Sequence, residues 1–270
     1  MGITLDVEFP RLFTKFMMFA NSIVNLEFLN LMPLGCVMKV DYHGSLLIYT
    51  LIPIGLGIFN YLIYWMLKRA QKVRASNAVY GWFLFMTFLI LPSVSTKIFL
   101  TFSCTSFDGN YGRYLKSDYS IDCDSDEHKV YELYAYFCSA IFPFGVPCLY
   151  LVNLWQDRAQ LDPGQSRMVK TLGEKKGLER ALKERETFEV DKEHEHIKSL
   201  AFLYDVYEPR FYYFEVVETI RKLMLTGGLV LLGKLTTSRI VVSIFICLAA
   251  VRLYAVCKPY IKERVDLFSE

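Results

Sequence analysis

The chain has almost no net charge. Its 30 Lys and Arg stand against 28 Asp and Glu, leaving +2, and no part of it is a basic domain. That balance speaks against a nucleic-acid partner, because phosphate backbones are held by clustered cations. The seven cysteines form no CxxC pair and no Cys/His cluster at zinc spacing, so no structural metal site is expected. GxSxG, HExxH, P-loop and GxGxxG motifs are missing, and no carboxylate or histidine pair lies within the first three uncharged runs. The chain is therefore not expected to be an enzyme, and no catalytic residue, metal or cofactor is assigned. MGITLD lacks the positive and apolar regions of a signal peptide, and Asp6 stands where the myristoylation pattern needs Ser or Thr. Insertion is left to the first long apolar run.

Apolar length is what the chain does have. Hydrophobic residues make up 53% and aromatics 16%, a content that belongs to membrane proteins rather than to a soluble domain of this size. Gly44 to Leu67 runs 24 residues without a charge and is closed by Lys68, Arg69, Lys72 and Arg74. A helix needs roughly 20 apolar residues to cross the hydrocarbon core, and a Lys/Arg cluster marks the cytoplasmic end. Ala75 to Thr96, extended past Lys97 by IFLTFSC, and Leu133 to Gln156 are the second and third runs. The last, Thr237 to Cys257, ends at Lys258, Lys262 and Arg264, and alternation puts that basic end on the same side as the first. The predicted fold class is all-α: a polytopic transmembrane helix bundle of about five spans, integral to the plasma membrane or an endomembrane. Pro53, Pro92, Pro143 and Pro147 fall inside these runs, where proline kinks a helix and frees a carbonyl.

The remaining span is short of apolar residues. Leu223 to Gly233 is uncharged, about half of what a crossing needs. A crossing that ends near Lys234 must begin near Tyr212, and it then carries Glu215, Glu218, Arg221 and Lys222 with it. Such charges cost about 2.5–3.5 kcal/mol each at the bilayer centre on insertion scales. Glu218 reaches Arg221 at i,i+3 and Lys222 at i,i+4, so an internal ion pair is geometrically available. With Lys97 in the second span and Arg252 in the fifth, these six residues form the candidate site. They read as cations that snorkel to the interface, as a charge network that shifts when the bundle rearranges, or as a substrate or proton pathway.

Four regions follow. Residues 1–43 form an extracytoplasmic or interfacial segment: over Phe9 to Phe28, helical spacing puts Arg11, Thr14, Lys15, Ser22 and Asn25 on one side and the apolar residues on the other. Residues 44–156 hold three spans and an acidic outer loop over residues 104–130. Cys104 and Cys123 stand at the ends of that loop, and an extracytoplasmic compartment permits a bridge between them, with Cys36 as the competing partner. Asp122, Asp124 and Asp126 match the first, third and fifth positions of an EF-hand loop, but Glu127 replaces the glycine and Leu133 the bidentate glutamate, so an EF-hand is rejected and a weak surface calcium site is the alternative left. Residues 157–206 form a charged cytoplasmic linker; Glu179 with Lys183 and Arg180 with Glu184, at i,i+4, predict a solvated helix between Gly177 and Glu189. His194 and His196 point nearly oppositely on a helix and make a poor metal pair. Residues 207–270 hold two spans and a basic tail.

Three stretches carry a resemblance: FSCTSFDGNYGRYLKSDYSIDCDSDEHKVYELYAY, FPFGVPCLYLVNLW and SLAFLYDVYEPRFYYFEVVETIRKLMLTGGLVLL. Together they resemble the membrane region of large multi-pass proteins of algae and protists, which often bear cysteine-rich extracellular repeats. More distantly they look like the fungal transient-receptor-potential-like family of channels and flavin carriers. The resemblance implies polytopic helices with a channel-like or sensory role. The alternatives are a transporter of a small solute or cofactor and a non-conducting anchor for extracellular repeats. It also implies a further helix after KPYIKERVDLFSE and repeats before the first span, so the chain is expected to be a partial gene product or a short member. The expected partners are the lipid bilayer, an ion or small solute, and further copies of the chain.

Overall fold

The computed structural model describes residues 41–106, 112–190, 192–231 and 236–261. The amphipathic helix expected before the first span, Cys36 and the basic tail beyond residue 261 lie outside these residues. The elements in chain order are α1 (Tyr42–Arg69), α2 (Val73–Leu100), β1 (Cys104–Ser106), β2 (Arg113–Leu115), β3 (Asp118–Asp122) and α3 (Asp126–Ser139). A π-helical turn, Ala140–Gly145, joins α3 to α4 (Val146–Gln156). Then come α5 (Arg158–Leu161), α6 (Gln165–Leu172), α7 (Glu174–Val190), a 3-10 segment Lys192–Leu200, α8 (Ala201–Tyr204), a 3-10 turn Pro209–Phe211, α9 (Phe214–Thr226), a 3-10 turn Gly228–Leu231 and α10 (Thr236–Cys257).

The chain is all-α apart from its small sheet, and it is a membrane protein. Among the described residues, four stretches are helical, long and apolar enough to cross a bilayer: Tyr42–Arg69, Val73–Leu100, Asp126–Gln156 and Ser238–Cys257. These correspond to the first, second, third and last runs read from the sequence. In the most apolar part of the last, 0% of the residues are buried within the chain, and in the first 11%. Phe59, Tyr61, Met66, Phe245 and Val251 stand more than half exposed. Apolar faces of that extent suit lipid, whose interior makes no demand for polar cover.

Local chemistry sets the helix ends. Lys68 and Arg69 close α1, where cations complement the helix dipole. Ser125 caps α3, its hydroxyl accepting the His128 N–H at 3.3 Å, and Asp126 and Glu127 fill the first turn. Pro143 lies inside the π turn, so one of the expected proline kinks takes the form of a wide turn, a usual way to absorb a break in the i→i−4 ladder.

The fourth expected span differs from its prediction. The helix α9 has 13 residues and gives way after Thr226 to the 3-10 turn Gly228–Leu231. It is not among the four helices with the length and composition to cross. A glycine pair at 227 and 228 stops the helix, and Gly227 permits close packing there: a Cβ on it would lie 2.3 Å from the Phe99 ring.

Two compact units emerge from the packing. The first holds the described parts of residues 1–55, 87–145 and 221–248. The loop expected over residues 104–130 is ordered here as an antiparallel sheet, β1-β2-β3, with Cys104 opposite Leu115 and Tyr114 opposite Asp122. Cys104 and Cys123 are joined by a disulfide, with their Cα atoms 6.4 Å apart. Beneath the sheet, Tyr42, Phe99, Leu100, Leu115, Cys123 and Val230 form a buried cluster. At the start of β3 the Ser120 hydroxyl and amide, at 2.6 and 3.1 Å, hold the Asp118 carboxyl below the usual carboxylate range.

The second unit holds the described parts of residues 56–86, 146–220 and 249–270. It contains the linker, which is a packed structure rather than a solvated helix alone. The helix expected between Gly177 and Glu189 is present as α7, with Arg180 and Glu184 paired at 3.4 Å on its exposed face. Its other face buries Ala181 and Arg185. Asp162 turns the chain by accepting the Gly164 and Gln165 amides, each at 3.1 Å. At Gly177 a Cβ would lie 2.6 Å from the Val169 backbone, so α6 and α7 pack backbone to backbone. Gly177→Ala is expected to force them apart at a cost of about 2 kcal/mol, read as faster proteolysis at linker Lys and Arg residues; an unchanged cleavage rate would contradict the close approach.

Candidate functional site

Of the six candidate charges, Glu215, Lys97 and Lys222 have partners defined by the structure. Glu215, at the start of α9, accepts a hydrogen bond from the Tyr207 hydroxyl at 2.6 Å. Burial, and then that carboxylate, push the Tyr207 phenol far above its ordinary value. Glu218 is buried at 6% exposure, and Arg221 and Lys222 are half-buried. The Lys222 ammonium lies 5.4 Å from the Phe88 ring centroid. Lys97 donates to the Ser45 hydroxyl at 3.4 Å and sits over the Tyr42 and Tyr49 rings at 5.4 and 5.2 Å. Aromatic faces attract a cation electrostatically. Arg252 is exposed on α10. Thus Lys97 and Lys222 have aromatic neighbours and Glu215 a phenol, partners that the charge pattern alone did not indicate.

A second cluster, absent from the sequence reading, occupies the sheet-bearing end of the first unit. His43 is the second residue of α1 and His128 the third of α3, and their Nε2 and Nδ1 atoms lie 3.1 Å apart. Both are buried, at 7% and 1% exposure. Tyr131, one turn along α3 from His128, stacks on His43 with centroids 4.0 Å apart and planes 7° from parallel. The Tyr42 hydroxyl donates to the Lys97 carbonyl at 2.7 Å, fixing the first turn of α1 against the end of α2. Two neutral imidazoles can share one N–H between them, one donating and one accepting. The arrangement is thus a polar clasp between two candidate spans, covered by the disulfide-closed sheet.

Carboxylates surround this clasp. The charged groups near His43 are Glu127, Asp118 and Asp41, and those near His128 are Glu132, Arg113 and Asp122; burial acts on both rings more strongly than any of them. His128 Nε2 is also 4.0 Å from Cys104 Sγ. Ligand atoms of Cys104, Cys123 and His128 fall within 4.8 Å of one another, but with the sulfurs bonded to each other the trio offers no thiolate to a metal. Asp122 and Asp124 serve their own loop, Asp122 accepting the Asp124 amide at 2.9 Å and Asp124 meeting Arg113 at 3.3 Å. Of the linker histidines, His196 meets Asp157 at 2.9 Å, and the His194 side chain lies outside what the structure describes. The signal for the clasp was present in the sequence: one histidine just before the first apolar run and one just before the third, both at ends that alternation places on the same side. Family models, curated proteins and solved structures were compared with the chain, and none matches it.

Proposed function

We propose that the chain is a multi-pass integral membrane module of the channel-like or sensory kind, remotely related to the transient-receptor-potential-like proteins, and that it responds to protons at its sheet-bearing end. The observation that carries this reading is the buried His43–His128 hydrogen bond between α1 and α3. An imidazole has a reference pKa of about 6.5. Two imidazolium groups both donate, so neither can accept from the other. Full protonation therefore opens the clasp, and the ends of two helices become free to separate. The clasp holds while either ring stays neutral and is lost when acid has charged both.

The test uses the full chain in liposomes, with ion flux followed while only the sheet-bearing side is stepped from pH 7.5 to 5.5. Flux is expected to change about tenfold, a typical coupling between two states, and His43→Gln with His128→Gln is expected to abolish the change while preserving a polar pair. A wild-type response that survives in this double variant would sink the proposal. Solute flux without ion current favours the transporter alternative, which has its own support in the π turn beside a cleft at the same end. Silence in both assays, with acid-dependent exposure of Tyr131 retained, leaves a sensory anchor.

A further inference from the structure

A cleft of about 700 Å³ opens in the first unit beside the sheet. Its polar wall includes Arg239, Lys116 and Glu132; its apolar wall includes Phe102, Tyr136 and Phe144. We propose that this cleft seats the zwitterionic headgroup and first acyl carbons of a bilayer phospholipid. Arg239 and Lys116 take the phosphate, Glu132 takes the ammonium, and the chain leaves over the rings. This goes beyond the proton-sensing reading and does not depend on it.

Position, chemistry and size agree. Arg239 is the second residue of the apolar helix Ser238–Cys257, and Phe102 lies two residues past the end of α2, so the cleft stands at headgroup depth. The Arg239 side chain is 7% exposed and donates to the Val230 carbonyl at 3.4 Å. A guanidinium held in a low-dielectric wall presents a planar fork that matches phosphate oxygens. Lys116 is fixed by its backbone amide, which donates to the Ser103 carbonyl at 2.8 Å. Two cations and one carboxylate suit a ligand that carries both signs, whereas free phosphate would leave Glu132 opposed to it. Phe102 and Tyr136 are in ring contact at 4.6 Å, and Tyr136 and Phe144 are 60% and 66% exposed, giving the acyl chain an apolar exit toward lipid. Phe144 belongs to the π turn Ala140–Gly145, which begins four residues after Tyr136, a backbone irregularity that recurs at ligand sites. The volume falls within the roughly 300–1,000 Å³ usual for small-molecule pockets.

The experiment titrates the full chain in detergent with a spin-labelled short-chain phosphatidylcholine and competes it with unlabelled phosphatidylcholine, phosphatidic acid of the same chain length, inorganic phosphate and an alkyl glucoside. Unlabelled phosphatidylcholine is expected to displace the probe, and the phosphate and the glucoside to fail at the same concentration. Arg239→Gln is expected to weaken binding about tenfold or more. Lys116→Gln, at a half-exposed position, is expected to weaken it several-fold in a chain that keeps its fold. Glu132→Gln is expected to reverse the preference, so that phosphatidic acid competes better than phosphatidylcholine. Equal competition by the alkyl glucoside would reduce the cleft to an apolar surface, and equal competition by inorganic phosphate would reduce it to an anion site; either overturns the proposal. Wild-type affinity in Lys116→Gln together with unchanged headgroup preference in Glu132→Gln overturns it as well.

Discussion

Cys104→Ser lowers the unfolding free energy of the full chain by about 3 kcal/mol, and wild-type protein treated with a dithiol loses the same amount. The disulfide spans 19 positions, and a cross-link of that span removes loop-closure freedom that the unfolded chain would otherwise keep. Its strands are three, three and five residues long, too short to hold an independent sheet in water. What fastens them is the cross-link together with Leu115 and Cys123, which reach into the cluster with Tyr42, Phe99 and Val230. Thermal unfolding in detergent measures the loss, with Cys148→Ser, at an exposed cysteine, as the comparison that should change nothing. Coincident curves for Cys104→Ser and wild type would mean the sheet is held by its packing alone.

Arg185→Ala is expected to destabilise the second unit by about 3 kcal/mol. Its guanidinium, 4% exposed, donates to the Tyr207 carbonyl at 3.2 Å, approaches Asp205 at 4.0 Å and lies 5.1 Å from the Tyr204 ring centroid. Removing it takes a donor from a buried carbonyl and leaves a void against a fully buried tyrosine, two separate losses. Arg180→Ala, which breaks only the exposed Arg180–Glu184 pair, should cost no more than about 0.5 kcal/mol. Denaturant unfolding followed by protease cleavage in the linker compares the two; equal effects would mean that α7 is a solvated helix after all.

The spans were legible because a long uncharged run closed by Lys and Arg has one economical solution, a helix in lipid. Gly44 to Leu67 lies wholly inside α1 for this reason. The Cys104–Cys123 bridge was legible from spacing and side, although Cys36 competed for it. The sheet between those cysteines was not, since Arg113–Leu115 and Asp118–Asp122 are too short and too polar to show a period-two pattern. The linker misled in the other direction. Its charges suggested full solvation, but one face of α7 carries Ala181 and the long apolar stem of Arg185, and such a stem packs while its head finds acceptors. The fourth span was judged by counting residues across a membrane, and counting cannot foresee that Gly227 and Gly228 convert the helix to a tighter turn. The clasp escaped because His43 and His128 are 85 positions apart and each, alone, reads as an ordinary residue at a helix end.

The stretch from Val206 to Phe214 has a mechanical consequence. The Glu208 amide donates to the Pro259 carbonyl at 2.8 Å and the Ile261 amide to the Val206 carbonyl at 3.2 Å, with Tyr207 and Tyr260 paired between them. Chain following α10 is thereby stitched across the approach to α9. A pull on residue 261 therefore loads two backbone hydrogen bonds and the Tyr207 ring together, and through the Tyr207 hydroxyl it reaches Glu215. The chain after α10 and the acidic start of α9 are thus mechanically joined, and the last link between them is one phenol–carboxylate hydrogen bond.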